Sequence, residues 1–299
     1  MRPVLRPATW GVLAIAGACL SVTAGNLISK GLLARVEPLP LVLVQVVASS
    51  VVLWGIVLLT GRLPALGALP RLSLPGVFQP GLVFTLSFAG LTLVPLTVAA
   101  FLYAFETLMV LFIAWPLLRE RPSMGKLGLS VVGVAGVVLL ATGGGGIGGA
   151  SVPVFGLLLV LGSVLAAAMH TVTTRGIAVG ADPLAMAAVS QVGGLAVIAI
   201  AATLWPVADW RAILRWDVLP GAVAAGLLLH GAAMLFFNLG LARVRAGTVA
   251  ILLPAIAPLT AAGAYLMFAE RLGVVQLAGA ALVLAAAVAV GVLPERGDR

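Results

Sequence analysis

The stretch TVAAFLYAFETLMVLFIAWPLLRE, Thr97 to Glu120, holds one carboxylate, Glu106, in the middle of an otherwise apolar run. Between Arg71 and Arg119 no other residue carries a formal charge. Read as a helix crossing a bilayer, the run places Glu106 about as far from bulk water as the chain can put it. An ionised side chain at that depth costs about 3 kcal/mol on insertion scales, so the carboxyl must be partnered, protonated or facing a water-filled cavity.

Composition says the same of the other residues. The 299-residue chain is 62% hydrophobic and 9% charged, with a mean hydropathy of +1.23. Soluble domains are about half apolar and a quarter charged, which excludes that class and predicts an all-α integral membrane protein. The formal charge of +8 does not point to nucleic acid, because the basic residues are scattered between apolar runs and never cluster with aromatics on a polar face. Cys19 is the single cysteine and lies in the first apolar run, so no internal disulfide is possible. Arg2 and Arg6 before that run read as the flank of a first span rather than a cleaved leader.

Charges and turn residues divide the sequence into ten apolar stretches, each near the roughly 20 residues a spanning helix needs. Runs this long in hydrocarbon must satisfy their own backbone groups, which leaves helices as the option. Of the 17 Lys and Arg, five fall in loops on one side, Lys30, Arg35, Arg211, Arg215 and Arg271, and twelve on the other. The positive-inside tendency then predicts cytoplasmic N- and C-termini.

An internal repeat is legible at an offset of 145: Gly11 recurs as Gly156, Pro38 as Pro183, and Leu74-Pro75-Gly76 as Leu219-Pro220-Gly221. A later shift of about six matches Thr97-Val98-Ala99 with Thr248-Val249-Ala250 and Glu120-Arg121 with Glu270-Arg271. This register sets Ala257 opposite Glu106, Pro258 opposite Thr107 and His230 opposite Thr85. The expected organisation is a first five-helix repeat over 1–142, a glycine-rich linker over 143–151 and a second repeat over 152–299. Five is odd, so the second copy is expected to be inverted, with a site near the midplane between the copies.

The candidate site residues follow. Glu106 leads, as a carboxyl able to exchange a proton or pair with an amino group. Tyr103 stands one turn before it on the same face, to orient a substrate or merely to pack. His170 and His230 lie near mid-depth, each either a substrate or proton contact or an interhelical donor. Asn26, Gln79, Gln191 and Asn238 are polar groups that hydrogen bonds between helices would account for, and Asn26 is also a candidate site residue. Phe84, Phe88, Phe236, Phe237 and Tyr265 are candidates to line an apolar cavity. Pro254 and Pro258, one turn apart in the helix that mirrors that of Glu106, each free a carbonyl four residues back. Metalloprotease, serine-hydrolase, paired-carboxylate and ATP-binding motifs are absent from the sequence, so no cofactor or metal is expected and any energy would come from a gradient.

The ten stretches, the five-plus-five repeat, and the closing motifs LLRER at Leu117 to Arg121 and FAER at Phe268 to Arg271 resemble the drug/metabolite transporter superfamily, in particular proteins with two EamA domains. Glu106 matches the acid that such proteins often carry in the fourth span, with Thr107 in place of the Pro that follows it. The resemblance implies a carrier of the bacterial inner membrane that exports amino acids or toxic amphiphiles, with the small-molecule substrate, the bilayer and protons as its partners, acting as monomer or homodimer. The alternatives are an uncoupled facilitator and an intramembrane lipid-modifying enzyme.

Overall fold

The computed structural model describes residues 7–91, 93, 102–103, 105–142, 153–204, 209–268 and 273–292. The glycine-rich linker, Phe101, Glu270 and Arg271 lie outside the described residues, as does the first part of the fourth predicted span. What is described is helix joined by short turns. In chain order the helices are α1 (Pro7–Leu32), α2 (Pro38–Thr60), α3 (69–91), α4 (Glu106–Leu118), α5 (Met124–Thr142), α6 (Val154–Ala178), α7 (Pro183–Leu204), α8 (Leu219–Leu241), α9 (246–268) and α10 (Val274–Val292). Five of them, α1, α2, α6, α7 and α8, are long and apolar enough to cross a membrane, and α4, α5, α9 and α10 hold shorter apolar stretches. Leu59, Leu66, Leu266 and Val274 point outward with more than four-fifths of their surface exposed, which suits hydrocarbon rather than water. The chain is a multi-pass membrane protein.

The elements recur. Pro38 and Pro183 open α2 and α7 at a spacing of 145, with the fixed proline φ preset for a first helical turn. Asp182 adds a cap: its Oδ1 accepts from the N–H groups of Leu184 at 3.0 Å and Ala185 at 2.9 Å. From the third helix onward the spacing is 150, as the starting pairs Leu69 and Leu219, Val83 and Ala233, Glu106 and Ile256, and Met124 and Val274 show. This corrects the register read from the sequence. The extra residues sit before the third helix of the second half, in the connection that contains the 3₁₀ turn Ala212–Leu214. Gly76 therefore corresponds to Gly226 rather than Gly221, Pro80 rather than Thr85 to His230, and Ile256 rather than Ala257 to Glu106.

Packing confirms the corrected register. A Cβ on Gly76 would run into the Ser190 carbonyl, and one on Gly226 into the Gln45 carbonyl. Gln45 and Ser190 are themselves 145 apart. Each glycine is thus a notch in which the third helix of one half crosses the second helix of the other. Small residues at such crossings let backbones approach where lipid offers no hydrophobic drive to association. Gly11 against Gly240 and Gly90 against Gly156 repeat the device for α1 with α8 and for α3 with α6. Helices α5 and α10 pack on each other, Gly136 facing the Gly279 carbonyl. Between the halves lies a buried apolar group that includes Ile15, Cys19, Val110, Ala114, Val172, Phe237, Val249 and Ile251.

Turns gather at two ends. At one, Gly61 ends α2 with φ +66°, a left-handed value that glycine adopts freely, and its N–H reaches Leu58 O at 3.3 Å. At this end Glu120, just past α4, joins both halves. Its Oε1 accepts from Arg175 Nε at 2.9 Å, and its Oε2 accepts from the N–H of Ala246 at 2.9 Å, at the start of α9. Arg175 also donates from Nη1 to Leu241 O at 2.6 Å, the last carbonyl of α8. The side chains of the pair are only 13% and 19% exposed. Close by, Lys126 donates to Thr248 Oγ1 at 2.7 Å. The opposite end holds Asp217, which takes hydrogen bonds from Arg215 at 3.1 Å and from Arg35 at 3.4 Å. The Arg215 hydrogen bonds, chiefly, hold the exposed Asp217 carboxyl below the usual carboxylate range.

Two outcomes are expected from this packing. Gly76→Ala should cost about 3 kcal/mol, since the Ser190 backbone cannot swing aside. Gly55→Ala, in α2 with open space around it, should be neutral or stabilise by up to about 1 kcal/mol. Thermal melting of the purified variants in detergent orders them, and equal melting temperatures would contradict the notch. Glu120→Ala should cost about 3 kcal/mol by leaving Arg175 and the Ala246 N–H without their acceptor. An unchanged melting temperature for that variant would show that the pair is incidental.

Candidate functional site

Glu106 is the first residue of the described helix α4, about 18 Å along its axis from Leu118 at 1.5 Å per residue. Its neighbours come from both halves. Thr107 Oγ1 donates to Ala250 O of α9 at 3.0 Å. Tyr103 packs with Leu102 and Met109 against Val160 and Val164 of α6. Glu106 is half-buried, and among the described residues nothing donates a hydrogen bond to its carboxyl.

The Tyr103 hydroxyl is held between Ser87 of α3 and Ser163 of α6. The order of protons in this group follows from its far end. Ser163 Oγ lies 3.0 Å from Val83 O, a carbonyl that can only accept, so Ser163 donates there. Ser163 then accepts from Tyr103, and Tyr103 from Ser87, each hydroxyl using its one hydrogen. The ring is fixed with its proton committed, leaving Tyr103 free only to accept. Ser87 and Ser163 were not visible as site residues in the sequence. A serine in an apolar helix usually bonds back to its own turn, and nothing local marks one that does not.

The other candidates are placed by breaks in helices. In α3 the α-helix Leu69–Gly76 gives way to a π turn, Val77–Leu82, before resuming as Val83–Leu91, with Gln79 at φ −139°, ψ 124°. The equivalent segment of α8, Leu227–Ala232, is also a π turn. Such turns leave carbonyls unpaired within their own helix. His170 Nδ1 lies 3.0 Å from Pro75 O, and since a carbonyl only accepts, Nδ1 carries the ring proton. Gln191 Nε2 donates to His230 O at 2.7 Å. In α9 the break is the 3₁₀ turn Leu253–Ala255. Pro254 has no N–H to offer Ala250 O, and that is the carbonyl Thr107 satisfies. The thiol of Cys19 lies 3.8 Å from Leu252 O in the same break. Pro258 is buried in the next turn.

The histidines are buried and flanked by the predicted aromatics. His170 stacks on Phe237, with centroids 5.4 Å apart and planes at 16°. His230 meets Phe84 edge to face at 5.2 Å. The Nε2 atoms of both rings and Oε1 of Gln191 are buried with no hydrogen-bond partner among the described residues. Asn238 donates to Pro183 O at 3.2 Å, an interhelical bond of the expected kind. Asn26 is half-buried and shares no hydrogen bond with these groups. Phe236 is 38% exposed and packs beside Gly17 of α1. The side chains of Phe88 and Tyr265 lie outside the described residues. No group of three His, Cys, Asp or Glu able to hold a metal comes together among the described residues. A cavity of about 410 Å³ opens far from Glu106, between the 62–72 and 177–185 segments, and none of the predicted site residues lines it.

A sequence model of the EamA-like transporter family matches residues 9–142 and 154–292, one copy on each repeat. No curated protein matches the sequence significantly. One solved crystal structure of a protein superposes with a TM-score of 0.80 at 20% identity, over 94% of this chain and 96% of the other, which shows a shared fold. With the family's repeat matched twice over most of its length, the chain belongs to the EamA-like transporter family, the domain of the drug/metabolite transporter superfamily.

Proposed function

We propose that the chain is a secondary active transporter of the bacterial inner membrane that exports small metabolites, either amino acids or toxic amphiphiles, by alternating access. In this reading ten spans form two inverted five-helix repeats joined by 143–151, with both termini in the cytoplasm, as the uneven distribution of Lys and Arg favours. The observation that carries the proposal is Glu106: a carboxyl at mid-depth, where α4 meets α6 and α9, with no donor to it among the described residues.

A carboxyl so placed is neutralised either by a proton or by a cationic group on a substrate. If the two compete, arrival of one releases the other, and a proton gradient drives the cargo outward. Tyr103, with its hydrogen already given to Ser163, offers a fixed ring and an acceptor beside the acid. The Glu120–Arg175 junction serves as the closed gate at its end, because access from there requires α8 and α9 to leave Arg175 and Glu120.

The test is flux of amino acids and organic cations in proteoliposomes with and without an imposed pH gradient. Wild-type flux should follow the gradient, and Glu106→Gln, nearly isosteric but without a titrating proton, should abolish that dependence. A variant that keeps wild-type pH behaviour contradicts coupling through Glu106.

A further inference from the structure

The 410 Å³ cavity lies at the end of the bundle where the α2–α3 connection of the first repeat faces the α6–α7 turn of the second. Its floor is apolar, with Ala68, Leu72, Ile177 and Ala185, and its mouth holds Arg62, Arg71 and Asp182. Asp182 does not neutralise both arginines. Its Oδ1 is taken by the cap of α7, and Oδ2 meets Arg62 Nη1 at 3.3 Å in a pair whose side chains are 57% and 38% exposed. Exposed pairs of this kind hold weakly and yield to a competing anion. Arg71 donates one N–H to Gly176 O at 3.4 Å. Each guanidinium has five donors, of which one on each arginine meets an acceptor among the described residues, and both arginines line the cavity.

The rim is strongly apolar. Leu63 lines the cavity, and Leu59, Leu66 and Val179, next to its lining segments in sequence, are like it more than half exposed. Paired cationic forks over an apolar floor, with exposed leucines at the edge, fit a ligand that is anionic at one end and hydrocarbon at the other. Basic pockets between spanning helices at a membrane face take lipid headgroups on these terms. We propose that this pocket holds the phosphate of an anionic phospholipid between Arg62 and Arg71, with an acyl chain along Leu59, Leu63 and Leu66. The lipid joins the two repeats at the end that carries the Glu120–Arg175 junction. The inference needs no assumption about cargo or coupling.

Binding is read on the full-length protein in nonionic detergent by native mass spectrometry and thermal shift, titrating phosphatidylglycerol, phosphatidylcholine and inorganic phosphate separately. Phosphatidylglycerol should bind and raise the melting temperature, and the other two should not. The double variant R62Q/R71Q should bind phosphatidylglycerol about thirtyfold more weakly, whereas R211Q/R243Q, with the same change in net charge, should match wild type. Equal binding of both phospholipids, wild-type binding by R62Q/R71Q, or a matching shift from inorganic phosphate would each overturn the proposal. If R62Q/R71Q does not fold, photocrosslinking of wild type with a photoactivatable phosphatidylglycerol decides. Adducts within residues 59–72 or 177–185 support the site, and adducts confined elsewhere contradict it.

Discussion

A carbonyl freed by a broken helix must find a donor, and inside a bilayer that donor is another part of the protein or water in a protein-lined cavity. Among the described residues three helices are broken, α3 and α8 by π turns and α9 by a 3₁₀ turn, and the donors to the α3 and α9 breaks come from across the repeat boundary, whereas Gln191 serves α8 from its own half. His170 of the second half serves Pro75 of the first, while Thr107 and Cys19 of the first serve Ala250 and Leu252 of the second. The breaks in α3 and α9 are therefore points at which one repeat is tied to the other. Together with the Gly76 and Gly226 notches, they bring α4 against α6 and α9 and set Glu106 where the halves meet.

Such ties suit the alternating access proposed for the chain. A hydrogen bond from a side chain to a freed carbonyl can be given up and replaced by water when a path opens, whereas a continuous helix has no such group to release. The buried, unpartnered Nε2 atoms of His170 and His230 lie beside these breaks. With Nδ1 of His170 donating to Pro75 O, its neutral Nε2 is an acceptor outside the hydrogen bonds that hold the fold.

Much of this was legible in the sequence, and what was not has identifiable causes. The apolar runs predicted membrane helices because hydrocarbon leaves few alternatives, and Pro254 announced the break in α9 because a missing N–H is written into the residue. The repeat was visible, but its register slipped by five residues at α3. Leu-Pro-Gly recurs by chance at the older spacing, and an insertion before the third helix of the second half is silent until Gly76 and Gly226 are seen in equivalent notches. The π turn in α8 has no proline, so nothing local announced it. Ser87 and Ser163 were invisible because their role depends on which helices adjoin.

The central claim is that Glu106 faces an aqueous path between the repeats. The direct measurement is thiol labelling of E106C in a Cys19→Ser background, using a membrane-impermeant reagent applied to sealed vesicles of each orientation. The account predicts that the cysteine is labelled from an aqueous side despite its depth. A cysteine that stays unlabelled from both sides would place position 106 in dry packing and contradict it.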